Sequence, residues 1–203
     1  MKAFVVVCLC GLSSVMLAAQ SKPRAFTDPD GNFQFKYSPV LVQCNLEGTG
    51  QGQNGFWAPD GCLCDDEDSV TTLACFAYPK EKFKDKPTFV GAAFFVAEVH
   101  PAITPDACLE GSRYWLVRIV ESTKINAINF RHFRISDAWT SHYQSGDMYR
   151  AFHNKKCYEL EIQEIDGSFG AYDPGTIKEF TKRDAEEVRA RLEQALESFV
   201  FLK

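Results

Sequence analysis

No Asn-x-Ser/Thr triplet occurs anywhere in this chain, so it offers no acceptor for N-linked glycans. A Gly-x-Ser-x-Gly elbow, a His-Glu-x-x-His pair and a Gly-rich phosphate loop are missing too. With them go the sequence signatures of common hydrolases, zinc peptidases and nucleotide-binding proteins. Histidine is scarce, with 4 residues spread through the chain, and none has a metal-ligand spacing to another. No basic patch is interleaved with aromatics, and 27 acids outweigh 22 Lys and Arg, for a net charge of −5. Nucleic acid is therefore a poor partner, and the mildly acidic balance mainly favours solubility. Internal repeats are absent, and so is any sign of a second domain.

What is present begins with MKAFVVVCLCGLSSVMLAAQ. One lysine precedes an apolar run from Ala3 to about Leu12, and the small residues Ala18 and Ala19 close it. That layout predicts a secretory signal peptide over 1–19, cleaved after Ala19. The run is too short to cross about 30 Å of hydrocarbon, and no basic stop-transfer cluster follows. No membrane span is expected once the signal is removed. A secreted or periplasmic location follows, and the lack of glycan acceptors leans towards a bacterial exporter. The remainder of the 203 residues has the size of one domain, read as a leader at 20–25 and a folded unit at 26–203. With 45% hydrophobic residues, 17 Phe among the aromatics, it can bury a proper core without a cofactor.

Six cysteines lie beyond the signal: Cys44, Cys62, Cys64, Cys75, Cys108 and Cys157. An even number in an oxidising compartment reads as disulfides, and six allow 15 pairings. Cys62 and Cys64 stand in a loop at 45–69, rich in Gly, Gln, Asn and Asp, followed by Asp65, Asp66, Glu67 and Asp68. Zinc generally takes cysteines two to four residues apart with a second pair elsewhere, whereas here the spacing is one and the other cysteines are scattered. A direct Cys62–Cys64 bond would close a very small, strained and easily reduced ring. Pairing of each elsewhere is the better expectation, for example with Cys44 and Cys75, and Cys108 then meets Cys157.

Along the domain, Asp28-Pro29-Asp30-Gly31 signals a turn, and Phe33, Phe35 and Tyr37 alternate as on a half-buried strand. A calcium loop at Asp28, Asp30 and Asn32 is disfavoured, because its sixth position is Phe33 and its twelfth is Pro39. TTLACFAYP is a strand, KEKFKDK a solvated charge run, and FVGAAFFVAEV a central strand. ITPDACLEGS is a short helix capped by Thr104 with Pro105 at its first position. WLVRIVEST, INAINFRHFRISDAW, DMYRAFH and CYELEIQEI are strands, the last two joined by a turn at Asn154-Lys155-Lys156. In CYELEI the odd and even positions alternate in polarity, which predicts one buried face and one wet face on an antiparallel sheet. Thr181 and Asp184 open a C-terminal amphipathic helix whose stripe is Ala185, Val188, Leu192, Ala195 and Leu196. SFVFLK closes the chain with a short strand.

The opening DGNFQFKYSP, the hairpin YRAFHNKKCYELEI and the closing helix with LESFVF together resemble bacterial exported proteins related to the PsbP-like and Ran-binding Mog proteins. This chain departs from that pattern at Tyr37-Ser38-Pro39 and in its cysteine loop. The resemblance implies an α+β fold, an antiparallel sheet flanked by helices, and action by binding or assembly rather than catalysis.

His153 and Cys157 flank one turn, and Ser141-His142 follows Asp137, yet spacing brings no nucleophile, base and orienting group together. No catalytic residue, metal or cofactor is assigned. Trp139 and Tyr149 fall where strands carry core side chains. Phe56 and Trp57, in the Gly-rich loop, and His142 and Tyr143, in a polar-aromatic stretch around Gly146, are the candidate partner contacts. The expected function is a non-enzymatic binding or assembly role in the cell envelope or outside, towards another protein there. The alternatives are thiol-redox or metal handling by Cys62 and Cys64, and a small hydrolase built on His153 or His142.

Overall fold

The computed structural model of the chain describes residues 22–46, 62, 64, 69–102, 104–110 and 117–202, and of 117–121 the backbone alone. The apolar leader at 1–19 and the loop residues Phe56 and Trp57 lie outside the described residues.

FVGAAFFVAEV forms β5 (Phe89–Val99), in which every residue from Phe89 to Ala97 is buried. A strand apolar on both sides needs cover on both sides, and the rest of the molecule is arranged around that requirement. β5 pairs with β4 (Val70–Ala77) on one side and with β9 (Lys156–Gly167) on the other, both antiparallel. Beyond β4 lies the two-residue β3 (Val42–Gln43). Beyond β9 lie β8 (His142–His153), β7 (Ile128–Trp139) and β6 (Val117–Ile125), so the seven-stranded sheet runs β3-β4-β5-β9-β8-β7-β6.

Three hairpins build its outer half. Asn126–Ala127 and Asn154–Lys155 take positive φ at both positions, the left-handed pair that two-residue hairpins require. Thr140–Ser141 joins β7 to β8, Trp139 and His142 being the last paired residues. Gly146, at the centre of the polar-aromatic stretch, is inside β8. A Cβ there would collide with the Ile162 carbonyl oxygen, so the glycine permits close approach of β9 rather than a turn.

On one face of the large sheet sit α2 (Lys182–Glu197) and a small sheet of β1 (Arg24–Thr27), β2 (Phe33–Tyr37) and β10 (Val200–Phe201). β1 begins inside the segment read as a leader. The Thr181 hydroxyl accepts from the Asp184 amide and the Asp184 carboxylate accepts from the Thr181 amide, a complete capping box. Val188, Leu192, Ala195 and Leu196 are buried against Phe33, Phe35, Phe94 and Phe199. Phe35 meets Phe76 and Phe94 edge-on, with centroids 5.3 and 5.1 Å apart. The charge run KEKFKDK is less solvated than its composition suggests. Phe83 packs on Phe180, and Lys86 Nζ lies 2.5 Å from Asp184 at the start of α2.

The opposite face is covered by the cysteine segments and by α1 (Pro105–Glu110), which packs on β8 and β9. This corrects the expectation of a wet face on β9. Glu159, Glu161 and Gln163 are buried, on the face of β9 to which Cys108–Cys157 ties α1. Arg150 Nε donates to Glu159 Oε2 at 2.7 Å, a buried ion pair. The other two disulfides join Cys44 to Cys62 and Cys64 to Cys75. No helix among the described residues is long and apolar enough to cross a membrane.

Candidate functional site

Six large hydrophobic side chains are exposed among the described residues, and the four aromatic ones all belong to one end of the large sheet. They are Trp139 (39%), Tyr143 (56%), Phe169 (43%) and Tyr172 (41%). Register brings them there. His142 pairs with Gly167 and Tyr143 with Asp166, so the tip of the β7–β8 hairpin lies beside the end of β9. The Ser168 amide then donates to the Ser141 carbonyl at 2.7 Å, and a short 3-10 turn at Phe169–Ala171 delivers Phe169 and Tyr172 next to the tip.

The hairpin tip is held rather than loose. Ser141 takes a φ of 59°, and the His142 ring donates through Nδ1 to the Thr140 carbonyl at 2.8 Å. Trp139 stacks on His142, centroids 6.0 Å apart and planes 20° apart. An aromatic residue with two rotatable side-chain bonds, already braced by a neighbour, loses little entropy when it is covered.

Behind the aromatics, on the face that carries α2, runs a line of charge. Glu164 and Asp166 stand two apart on β9, opposite Ser145 and Tyr143. Burial pushes both carboxyls upward, and for Glu164 the charge of Asp166 and their mutual hydrogen bond push further, so the pair retains a proton well above the usual carboxylate range. Farther in, His132 Nε2 donates to Asp147 Oδ1 at 2.6 Å, and Arg189 of α2 donates to the other oxygen. Burial alone would raise Asp147, but those hydrogen bonds outweigh it and hold its carboxyl low. Tyr149 stacks on His132 at 4.4 Å, and burial, with Asp147 alongside, pushes its phenol up to about 12. These contacts lock α2 to β7 and β8. They leave His132 engaged at both its ring face and Nε2, which suits a brace rather than a general base.

The sequence candidates therefore separate. His142 and Tyr143 lie together at the hairpin tip, and Phe56 and Trp57 fall outside the described residues. Trp139, expected in the core, is the exposed last residue of β7, next to the hairpin turn. Tyr149 is half-buried against His132. His153 stacks its ring on Phe201 of β10 at 4.0 Å. It lies on β8 at the far hairpin, away from Ser141 and His142 at the opposite end of the same strand. Phe169 and Tyr172 were missed. Their only signal was aromatic residues standing in SFGAYDPG, a Gly- and Pro-punctuated segment that has no periodic face to bury them.

No family model matches the chain, and no curated protein does. Solved structures do. A Bacteroides thetaiotaomicron protein shares 10% identity over 88% of this chain at a TM-score of 0.43, and this chain spans about half of it, 48%. The Saccharomyces cerevisiae Ran-binding protein Mog1p shares 10% identity over 90% of this chain and 96% of its own, at a TM-score of 0.41. Cyanobacterial PsbP (CyanoP) from Synechocystis shares 8% identity over 94% of this chain and 98% of its own, at 0.42. The resemblance to PsbP-like and Ran-binding Mog proteins read from the sequence thus recurs among the structural neighbours, at low identity.

Proposed function

We propose that this is an exported, non-enzymatic binding protein that holds a protein partner of the envelope or extracellular space at the aromatic end of its large sheet. The observation that carries this reading is the gathering of Trp139, Tyr143, Phe169 and Tyr172 at one end while the other described Phe and Tyr rings are covered at least in part. Rings of this size dominate interface energetics when desolvated, and hot spots are enriched in Trp and Tyr. Export is supported by the signal-like first 19 residues and by three disulfides, which persist in oxidising surroundings.

The test uses a photo-crosslinking residue in place of Tyr143 and, as a control, in place of Lys36 on β2. Expression in the native host should give a discrete adduct from position 143 and none from position 36. With that partner purified, Trp139→Ala and Tyr143→Ala should each weaken binding by about 30-fold, the equivalent of about 2 kcal/mol for a hot spot. Thermal stability should barely change, because both side chains are exposed. Equal crosslinking from both positions, or full affinity in the double variant, removes the reading.

A further inference from the structure

Spacing argued against a metal at Cys62 and Cys64 because no second pair of ligands stood nearby in sequence. The tertiary structure supplies that pair. β3 and β4 align Gln43 with Phe76, and the Cys44 amide donates to the Cys75 carbonyl at 2.9 Å, so Cys44 and Cys75 stand side by side on adjacent strands. Cys62 and Cys64, two residues apart, both reach the same place, with Cα–Cα distances of 5.9 Å for Cys44–Cys62 and 6.2 Å for Cys64–Cys75. The sulfurs of Cys44, Cys64 and Cys75 all lie within 4.8 Å of one another, and that of Cys62 is bonded to Cys44. Three sulfurs therefore form one buried cluster, and the fourth, that of Cys62, is attached at its edge through Cys44.

We infer that these four cysteines form a second, alternative state when reduced: a closed tetrahedral tetrathiolate site for one Zn(II). Zn–S bonds of about 2.3 Å place tetrahedral sulfurs about 3.8 Å apart, so each bonded pair opens by about 1.8 Å on reduction and the non-bonded pairs among Cys44, Cys64 and Cys75 draw in by about 1 Å or less. The four residues are buried among Val70, Ala77, Val90 and Phe95, which leaves no open coordination position and fits a structural rather than a catalytic ion. Zinc would also tether the same four points of the chain that the disulfides tether, keeping β3, β4 and the cysteine segments together in either state.

The chemistry balances with a dithiol as the named reductant. Each of two dithiol molecules delivers two electrons and two protons to one disulfide and becomes a disulfide itself, giving four cysteine thiols. Binding of Zn(II) then forms four Zn–S bonds and releases four protons. The oxidised dithiol reverses the sequence: two of its disulfide molecules each take two electrons from one pair of cysteine thiolates and two protons from solvent, and the ion is released as the two protein disulfides re-form.

The full exported chain, carrying Cys108→Ser and Cys157→Ser so that only these four cysteines count, is reduced anaerobically with a water-soluble phosphine and titrated with Co(II). The wild-type chain is run in parallel in case the double variant fails to fold. One equivalent of Co(II) should bind with the intense visible bands of a tetrahedral tetrathiolate, and Zn(II) should displace it. Zn(II) should also protect Cys44, Cys62, Cys64 and Cys75 from alkylation. Cys62→Ser should weaken Co(II) binding by more than about 100-fold, beyond what loss of a residue that only supports a ligand would cause. Absence of those bands in both chains, equal alkylation with and without Zn(II), or an unaltered spectrum in Cys62→Ser overturns the inference. None of these readouts depends on the aromatic docking end.

Discussion

Removing the Cys108–Cys157 bond should cost this protein more than removing either of its other disulfides. It closes the longest loop, a separation of 49 residues, against 18 for Cys44–Cys62 and 11 for Cys64–Cys75. Chain-entropy scaling gives about 4 kcal/mol for the first and about 3 kcal/mol for each of the others. Local structure points the same way. α1 has six residues, far below the length at which a helix holds itself together, and Cys108 is its one buried residue. Without the bond, α1 has little to keep it over Arg150, Glu159 and Glu161. Cys108→Ala with Cys157→Ala should therefore lower the unfolding free energy by about 3–4 kcal/mol, or roughly 10 °C in Tm for a domain of this size. Urea denaturation followed by circular dichroism measures it, with hydrogen exchange in α1 as the local readout. A loss below about 1 kcal/mol, or a larger loss from cutting Cys64–Cys75, would refute the loop-closure reasoning.

Two further outcomes test the polar interior. Arg150→Met takes the guanidinium away from the buried Glu159 carboxylate and should destabilise by about 3–5 kcal/mol, whereas Arg150→Met with Glu159→Leu should recover most of that loss; equal unfolding midpoints for the single and double variants would contradict it. Glu164 is raised to about 8 by burial first and by Asp166 second, above the roughly 4.3 of an unfolded glutamate, so the folded state binds the extra proton. Stability should fall as pH rises from about 4 to about 8, and Glu164→Gln, neutral throughout, should flatten that fall in Tm measured across the range; an identical slope in the variant would exclude the carboxyl pair as its source.

Much of the framework was readable locally. The capping box at Thr181 and Asp184, the turn after His153, the helix opened by Thr104 and Pro105, and the central strand FVGAAFFVAEV each depend on residues within a few positions of one another. Burial of β9 was misread because alternating Tyr158-Glu159-Leu160-Glu161 has the pattern of a half-wet strand, and nothing local announces that the face carrying its glutamates will be covered, with a helix tied there by Cys108–Cys157. Trp139 failed the other way: an apolar residue at a strand end is core or surface according to how far the covering layer extends.

By itself the sequence determined the turns, caps, apolar stripes and cysteine inventory, since each is set by backbone preferences and side-chain chemistry over a few residues. Only the tertiary structure decided the strand order, which places β9 rather than β6 beside β5, and with it the meeting of Tyr143 with Asp166 and of Cys44 with Cys75. Those neighbours are separated by long stretches of chain. Their contact follows from which faces must be hidden from water at once, a condition that belongs to the whole molecule.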